Sequence, residues 1–145
     1  MKKLIICFCL FAAIGAAAAA PPEVNEKVLK AFKETFVKAE DVVWHELPNI
    51  YEASFKQSEI VTRAIYDTEG NLLRTTRYYS EEYLPINIMR NLKKKYEGKT
   101  VFGVTESSTD NEVSYHIVLE DAKNWFIVVA DNFGSLELSK KFKKG

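Results

Sequence analysis

Thiols are almost missing from this chain, and both that exist sit at one end of it. Cys7 and Cys9 fall within the first 20 residues, in a stretch that reads as an export leader. The processed chain is therefore expected to hold no disulfide and no thiolate metal site. Histidine is equally scarce. His45 and His116 are the only two, too far apart for paired ligands of the HExxH kind, and each reads as a solvated or satisfied strand residue. None of the 6 glycines belongs to a phosphate-cradling run, so nucleotide-binding loops are excluded. Net charge is lacking too: basic and acidic residues both number 20, and setting aside Lys2 and Lys3 leaves 18 against 20. A near-neutral domain has no electrostatic footprint for nucleic acid or anionic membrane. The lysines between Lys140 and Lys144 read as a solvated strand end and tail.

Long apolar runs are missing as well. The longest, Leu4 to Ile14, spans 11 residues, whereas a membrane span needs about 20. Lys2 and Lys3 before it, and the small residues Ala16 to Ala20 ahead of Pro21, make residues 1–20 a secretory signal peptide that is expected to be removed. Ile6 before Cys7 is too bulky for a lipoprotein signal. The expected address is the periplasm or the exterior, with no stable membrane insertion after cleavage. About 125 residues remain, enough for one domain, residues 21–145, to bury roughly two-thirds of its unfolded surface.

What is present is periodicity. Asn25 can cap a helix running to Lys38, with Val28, Phe32 and Phe36 on one stripe and charged residues opposite. Alternating segments follow at 41–47, 51–56, 60–66 and 72–79. In the second, Tyr51, Ala53 and Phe55 share the core side. A linker from Ser80 to Tyr83 leads to a helix with Pro85 in its first turn, a stripe of Leu84, Ile88, Leu92 and Tyr96, and a stop at Gly98. Further strands are expected at 100–106, 113–120, 124–130 and 135–142. Asp67-Thr68-Glu69-Gly70 superficially suggests part of a calcium loop, but lacks the closing glutamate; a hairpin turn explains it.

That turn returns 64 positions later as Asp131-Asn132-Phe133-Gly134. Tyr51 and Tyr115 also differ by 64, while Glu46 and Glu106 differ by 60. The fold expected is therefore α+β: a tandem duplication of a helix plus four-stranded antiparallel meander, with repeats at about 21–79 and 80–145. The helices pack on one face, over two sheets or one continuous eight-stranded sheet.

The sequence resembles the PepSY-like, beta-lactamase-inhibitor-like proteins secreted by Bacteroidetes-type bacteria. The resemblance covers the chain after the leader, through Ala31-Phe32-Lys33 with Phe36, Val43-Trp44, Tyr51 to Phe55, and Ala64 to Asp67 with Gly70. It continues through Leu72-Leu73, Thr75, Arg77, Leu84-Pro85, Ile88, Lys95-Tyr96 and Tyr115. Val37 and Glu97-Gly98-Lys99 depart from the pattern, at helix ends. The resemblance implies the tandem repeat and an envelope location, and no established activity.

No nucleophile, base and orienting group fall into a recognisable spacing, so no catalytic residue, metal ligand or cofactor is expected. The function expected is a non-enzymatic binding protein that offers a sheet face to a protein or peptide in the cell envelope, with inhibition of an envelope enzyme as the narrower form. A small-ligand binder with a pocket between sheet and helices is the alternative. Arg74, Arg77, Tyr78, Tyr79 and Tyr83 gather the residue types of interface anchors, and are the candidate partner-binding set; packing of the tyrosines over the seam between repeats is the competing reading.

Overall fold

The computed structural model describes residues 23–145; the leader assigned to residues 1–20 lies outside the described residues. Helix α1 (Glu26–Thr35) is followed by strands β1 (Glu40–Leu47), β2 (Ile50–Gln57), β3 (Ile60–Asp67) and β4 (Leu72–Tyr79). A 3-10 turn (Glu81–Tyr83) leads to α2 (Ile86–Lys95), then β5 (Thr100–Ser108), β6 (Val113–Glu120), β7 (Asn124–Asp131) and β8 (Leu136–Lys143). The strands form one antiparallel sheet in sequence order from β1 to β8. Of the two sheet arrangements compatible with the sequence, the chain adopts the continuous one.

Both helices lie on the same face because the alternation has the same phase throughout. In β3, Ile60, Thr62, Ala64 and Tyr66 are buried; in β6, Tyr115, Ile117 and Leu119; in β7, Phe126, Val128 and Ala130. α1 presses Val28 and Phe32 onto Ala53, Phe55, Ala64 and Tyr66, and α2 presses Ile88 and Leu92 onto Val104, Ile117, Leu119, Phe126 and Val128. Val28, Ile88, Ile117 and Val128 have no exposed surface, and each such side chain contributes about 1.5–3 kcal/mol by leaving water. Val61 and Ile65, part of the apolar β3 run in sequence, fall on the helix-free face, opposite Tyr78 and Arg74.

The helices are shorter than their stripes. α1 stops at Thr35 instead of Lys38: Phe36 leaves helical geometry at φ −117°, ψ 63° while its N–H still reaches the Phe32 carbonyl. The departure lets its ring pack 4.7 Å from Phe55. Tyr96 ends α2 in the same way. Pro85 occupies the cap position just outside α2, its carbonyl accepting from Met89 N–H at 3.0 Å.

Each helix is moored to a hairpin turn. Asp67 Oδ1 accepts from the N–H groups of Glu69 and Asn71, each at 2.9 Å, and Asp131 Oδ1 accepts likewise from Phe133 and Ser135 at 2.9 Å. These are closed hairpin turns, and the calcium-loop resemblance has no further basis. Asn25 Nδ2 donates to the Thr68 carbonyl at 3.2 Å, and Asn87 Nδ2 to the Asn132 carbonyl at 3.2 Å. Gly70 and Gly134 sit at φ +90°, where a Cβ would come within 2.9 Å of the Lys27 carbonyl oxygen and of Asn91 Nδ2 respectively.

Two outcomes follow from these moorings. Gly70→Ala should lose about 2 kcal/mol or more, combining left-handed strain with displacement of α1; Gly98→Ala, at φ +74° with open space around it, should lose only the backbone part, about 1 kcal/mol. Urea denaturation of the two variants checks the difference. Hydrogen bonds from Asn71 and Ser135 are the leading causes that hold the Asp67 and Asp131 carboxyls below the ordinary range. A depressed folded-state value means stability that is present above the unfolded value of about 4 and lost as pH falls through the folded one. The Asp67→Asn, Asp131→Asn double variant should therefore show a flatter loss of thermal stability below about pH 4 than the parent.

Candidate functional site

Strand alternation divides the candidate residues between two faces. Tyr79 is 9% exposed and joins the core cluster under α2, with Tyr83 edge-on to it at 6.0 Å. Arg77, two residues earlier in β4, points to the same helix-covered side and stacks its guanidinium 5.3 Å over the Tyr79 ring. Tyr78 and Arg74 lie on the opposite, helix-free face, where Arg63 sits 5.9 Å over Tyr78. The set does not form one patch: neighbours in a strand point to opposite sides.

On the helix side, Arg77, Tyr79 and Tyr83 form a seam between the two cores. Glu106 of β5, directly opposite Arg77, accepts from Arg77 Nη1 at 3.1 Å and from the Tyr79 hydroxyl. Its side chain is 14% exposed. Burial first, and then the Glu106 carboxylate, push the Tyr79 hydroxyl well above the usual tyrosine range; Tyr115 is raised by the same pair of causes. Tyr66, fully buried, is pushed up to about 12 by burial, and its hydroxyl, beside Thr35, has no hydrogen-bond partner among the described residues.

A cleft of about 420 Å³ opens beside this seam, lined by Thr35, Phe36, Gln57, Ile60, Thr62 and Arg77 among others. It is the place where the small-ligand alternative would act. The cleft is open to solvent and its one cation is already engaged by Glu106.

The helix-free face has a different character. One cross-strand row runs Val61, Tyr78, Thr105, His116, Val129. The next carries Gly103, Val118, Ile127 and Lys140, and beyond it lie Glu120, Trp125 and Phe142. Phe102, bulged out of the β5 register, is 66% exposed and meets Trp125 edge-on at 5.0 Å. Nothing overlies Gly103 within 4 Å. Tyr78, Phe102, Trp125 and Phe142 thus border a shallow field floored by Gly103, Val118, Ile127 and Val129, on which Thr105, His116 and Lys140 also stand. Towards the other end the face turns polar, with Arg63, Thr76, Ser107 and Ser114 in register.

Phe102 and Phe142 were not among the sequence candidates. Alternation could have found Phe142 with Trp125, since each neighbours a residue directed to the core side; Phe102 shares the parity of the buried Val104 and reaches the helix-free face only through the bulge. Trp44 and Trp125 part company in this way: Trp44 packs under α1 at 5.1 Å from Phe32, while Trp125 faces away. His45 and His116 stand on β1 and β6, with four strands between them. Among the described residues no three His, Cys, Asp or Glu side chains converge as a metal site, and no helix is long and apolar enough to cross a membrane.

No family model and no curated protein matches the chain. Solved structures do. A BLIP-like protein from Bacteroides fragilis NCTC 9343 superposes with a TM-score of 0.67 at 19% identity, covering 88% of this chain and 92% of that one. The chain has a BLIP-like fold. A DUF2874 family protein from Bacteroides uniformis ATCC 8492 gives a TM-score of 0.63 at 16% identity, with 83% and 90% covered. A Bacteroides eggerthii DSM 20697 protein, provisionally assigned to the periplasm by its name, gives 0.63 at 13% identity, with 84% and 90% covered. At such identities the likeness concerns the fold.

Removing Glu106 tests the seam. Glu106→Ala strands the Arg77 guanidinium and the Tyr79 hydroxyl, so it should destabilise by about 2–3 kcal/mol. Tyr79→Phe, which leaves Glu106 its arginine, should cost about 1 kcal/mol; chemical denaturation of both variants reads the difference.

Proposed function

We propose that the protein is a non-enzymatic binding protein of the bacterial envelope, and that the helix-free face of its sheet receives a protein or peptide partner. The observation that carries this reading is the aromatic border of Tyr78, Phe102, Trp125 and Phe142 around the open floor at Gly103. Large aromatic side chains held on a rigid sheet lose little conformational freedom on binding, and are the residue types that dominate interface energetics. A contiguous exposed apolar field on a β-sheet otherwise invites aggregation. Arg74 and Tyr78, of the sequence candidates, belong to this face; Arg77, Tyr79 and Tyr83 act on it indirectly, by holding β4 against β5.

The envelope address is supported by the leader pattern of residues 1–20 and by the provisional periplasmic name of one fold relative. Inhibition of an envelope enzyme is the narrower reading, supported by the BLIP-like fold and by nothing more specific. The duplication of a helix and four strands is supported by the matched turns at Asp67 and Asp131, and by the shared helix moorings.

The test is capture from envelope extract by the full chain, exported through its own leader and then immobilised. Trp125→Ala and Tyr78→Ala should each weaken capture of the same partner about 10-fold or more, as expected for truncated anchors. Ile86→Ala, 81% exposed on the helix side, should leave it unchanged. Equal capture by all of these folded variants would sink the assignment of the face.

A further inference from the structure

The two edges of the sheet are chemically opposite. β1 carries Glu40, Asp41 and Glu46 and no lysine or arginine; β8 carries Lys140, Lys141 and Lys143 against the single acid Glu137, with Lys144 just beyond. Every residue of β1 except Trp44, and every residue of β8 except Leu136, is exposed. Among the described residues both strands therefore present unpaired backbone groups along their outer sides, the usual template for adding another strand.

The chain already contains a junction of the required kind. β4 and β5 join the halves of the sheet, with Arg77 opposite Glu106, Tyr78 opposite Thr105 and Tyr79 opposite Val104. Lys141 holds the place in β8 that Arg77 holds in β4, since it lies opposite Phe126 as Arg77 lies opposite Thr62, and these positions are 64 apart. Glu46 holds the place in β1 that Glu106 holds in β5, opposite Tyr51 as Glu106 is opposite Tyr115. The ion pair at the β4–β5 seam thus has both its counterparts on the surface, one on each outer edge.

We propose that this protein associates head to tail with a second copy of itself, β8 of one copy adding antiparallel to β1 of the next. The β4–β5 register carried over to these edges sets Lys141 against Glu46, Phe142 against His45, and Lys143 against Trp44. Lys141 and Glu46 repeat the seam's ion pair, and Lys143 over Trp44 offers a cation on an aromatic face. On the other side Phe142, 49% exposed, covers the neighbourhood of Val43 and Leu47, which are 53% and 46% exposed. Because the sheet has eight strands, an antiparallel addition keeps the helices of successive copies on one side and extends the helix-free face. Edge lysines ordinarily repel a second edge; here they repel another β8 and attract β1, which selects the heterologous, open contact over a two-fold one. The contact is of the small class, below about 1,200 Å², and so reversible.

Sedimentation velocity on the full chain, exported through its own leader, tests this over a concentration series at 50 and 500 mM salt. The parent should sediment faster with rising concentration at low salt and return to the monomer at high salt, as a surface charge contact does. Glu46→Lys and Lys141→Glu should each weaken association roughly 10-fold or more, because each gives both edges the same sign. An equimolar mixture of the two variants should associate again, since each then meets an edge of opposite charge. A parent that stays monomeric at every concentration and both salts overturns the proposal. So does association that either single reversal leaves intact, or a mixture of folded variants that remains monomeric.

Discussion

The pairing of β4 with β5 is the constraint on which the rest depends, because it alone joins the two four-stranded halves into one sheet and lets the core under α2 reach across to Ile60 and Tyr79 of the first half. It is short, running from Thr75–Ser108 to Tyr79–Val104. A short antiparallel ladder between two edge strands is weak alone, and the side chains show how it is reinforced. Arg77 reaches across to Glu106, and Tyr79 supplies both a ring for the guanidinium and a hydroxyl for the carboxylate. A half-buried carboxylate is tolerable only when its lone pairs are occupied, and here two donors on the neighbouring strand occupy them. Placed one residue along, the same groups would point to the other face and seal nothing.

The strands and their turns were legible in the sequence because a period of two, with one face buried, leaves a direct trace: β6 matches its alternating segment from Val113 to Glu120. Helix ends were less so, since Phe36 and Tyr96 continue the apolar stripe yet leave helical geometry to pack onto the sheet. The continuity of the sheet was not legible. It rests on a register between strands separated by α2, and nothing local in either strand specifies it. Grouping Arg74, Arg77, Tyr78, Tyr79 and Tyr83 by proximity in sequence overlooked the same alternation that placed the core. Applied to β4 and β7, it separates Tyr78 from Tyr79 and Trp125 from Phe126.

The aromatic residues of the helix-free face illustrate a difference between stability and function. Phe32, Phe36, Phe55 and Trp44 meet one another beneath α1 at centroid distances of 4.7–5.5 Å, where folding removes them from water. Phe102 and Trp125 meet at 5.0 Å with no helix above them. Phe102 stays 66% exposed in this contact, while Trp125 is half-buried with Lys144 Nζ 4.5 Å over its ring, so the exposed ring contributes little to the isolated fold. Such surface gains its value when a partner covers it. The bulge at Phe102 fits this reading, because an extra residue in one strand re-aims a side chain without disturbing the ladder beyond it.

Charge on this molecule is arranged by strand, and not by face. Several charges are engaged in local pairs: Arg77 with Glu106 across the seam, Lys56 of β2 with Asp41 of the edge strand β1, and Lys144, just beyond β8, with Glu120. Glu46 and Lys141, which stand where the seam pair stands, form no such ion pair among the described residues, because β1 and β8 are at opposite ends of the sheet. A single seam solution used inside the chain therefore appears again on its outside in two unmatched halves. Arginine at the interior position and lysine at the outer one suits that difference. The planar guanidinium can stack on Tyr79 and fork to a carboxylate in a half-buried setting, whereas the strongly hydrated ammonium remains soluble while alone. An edge so equipped stays hydrated while alone and is opposite in charge to the acidic strand β1 at the other end of the sheet.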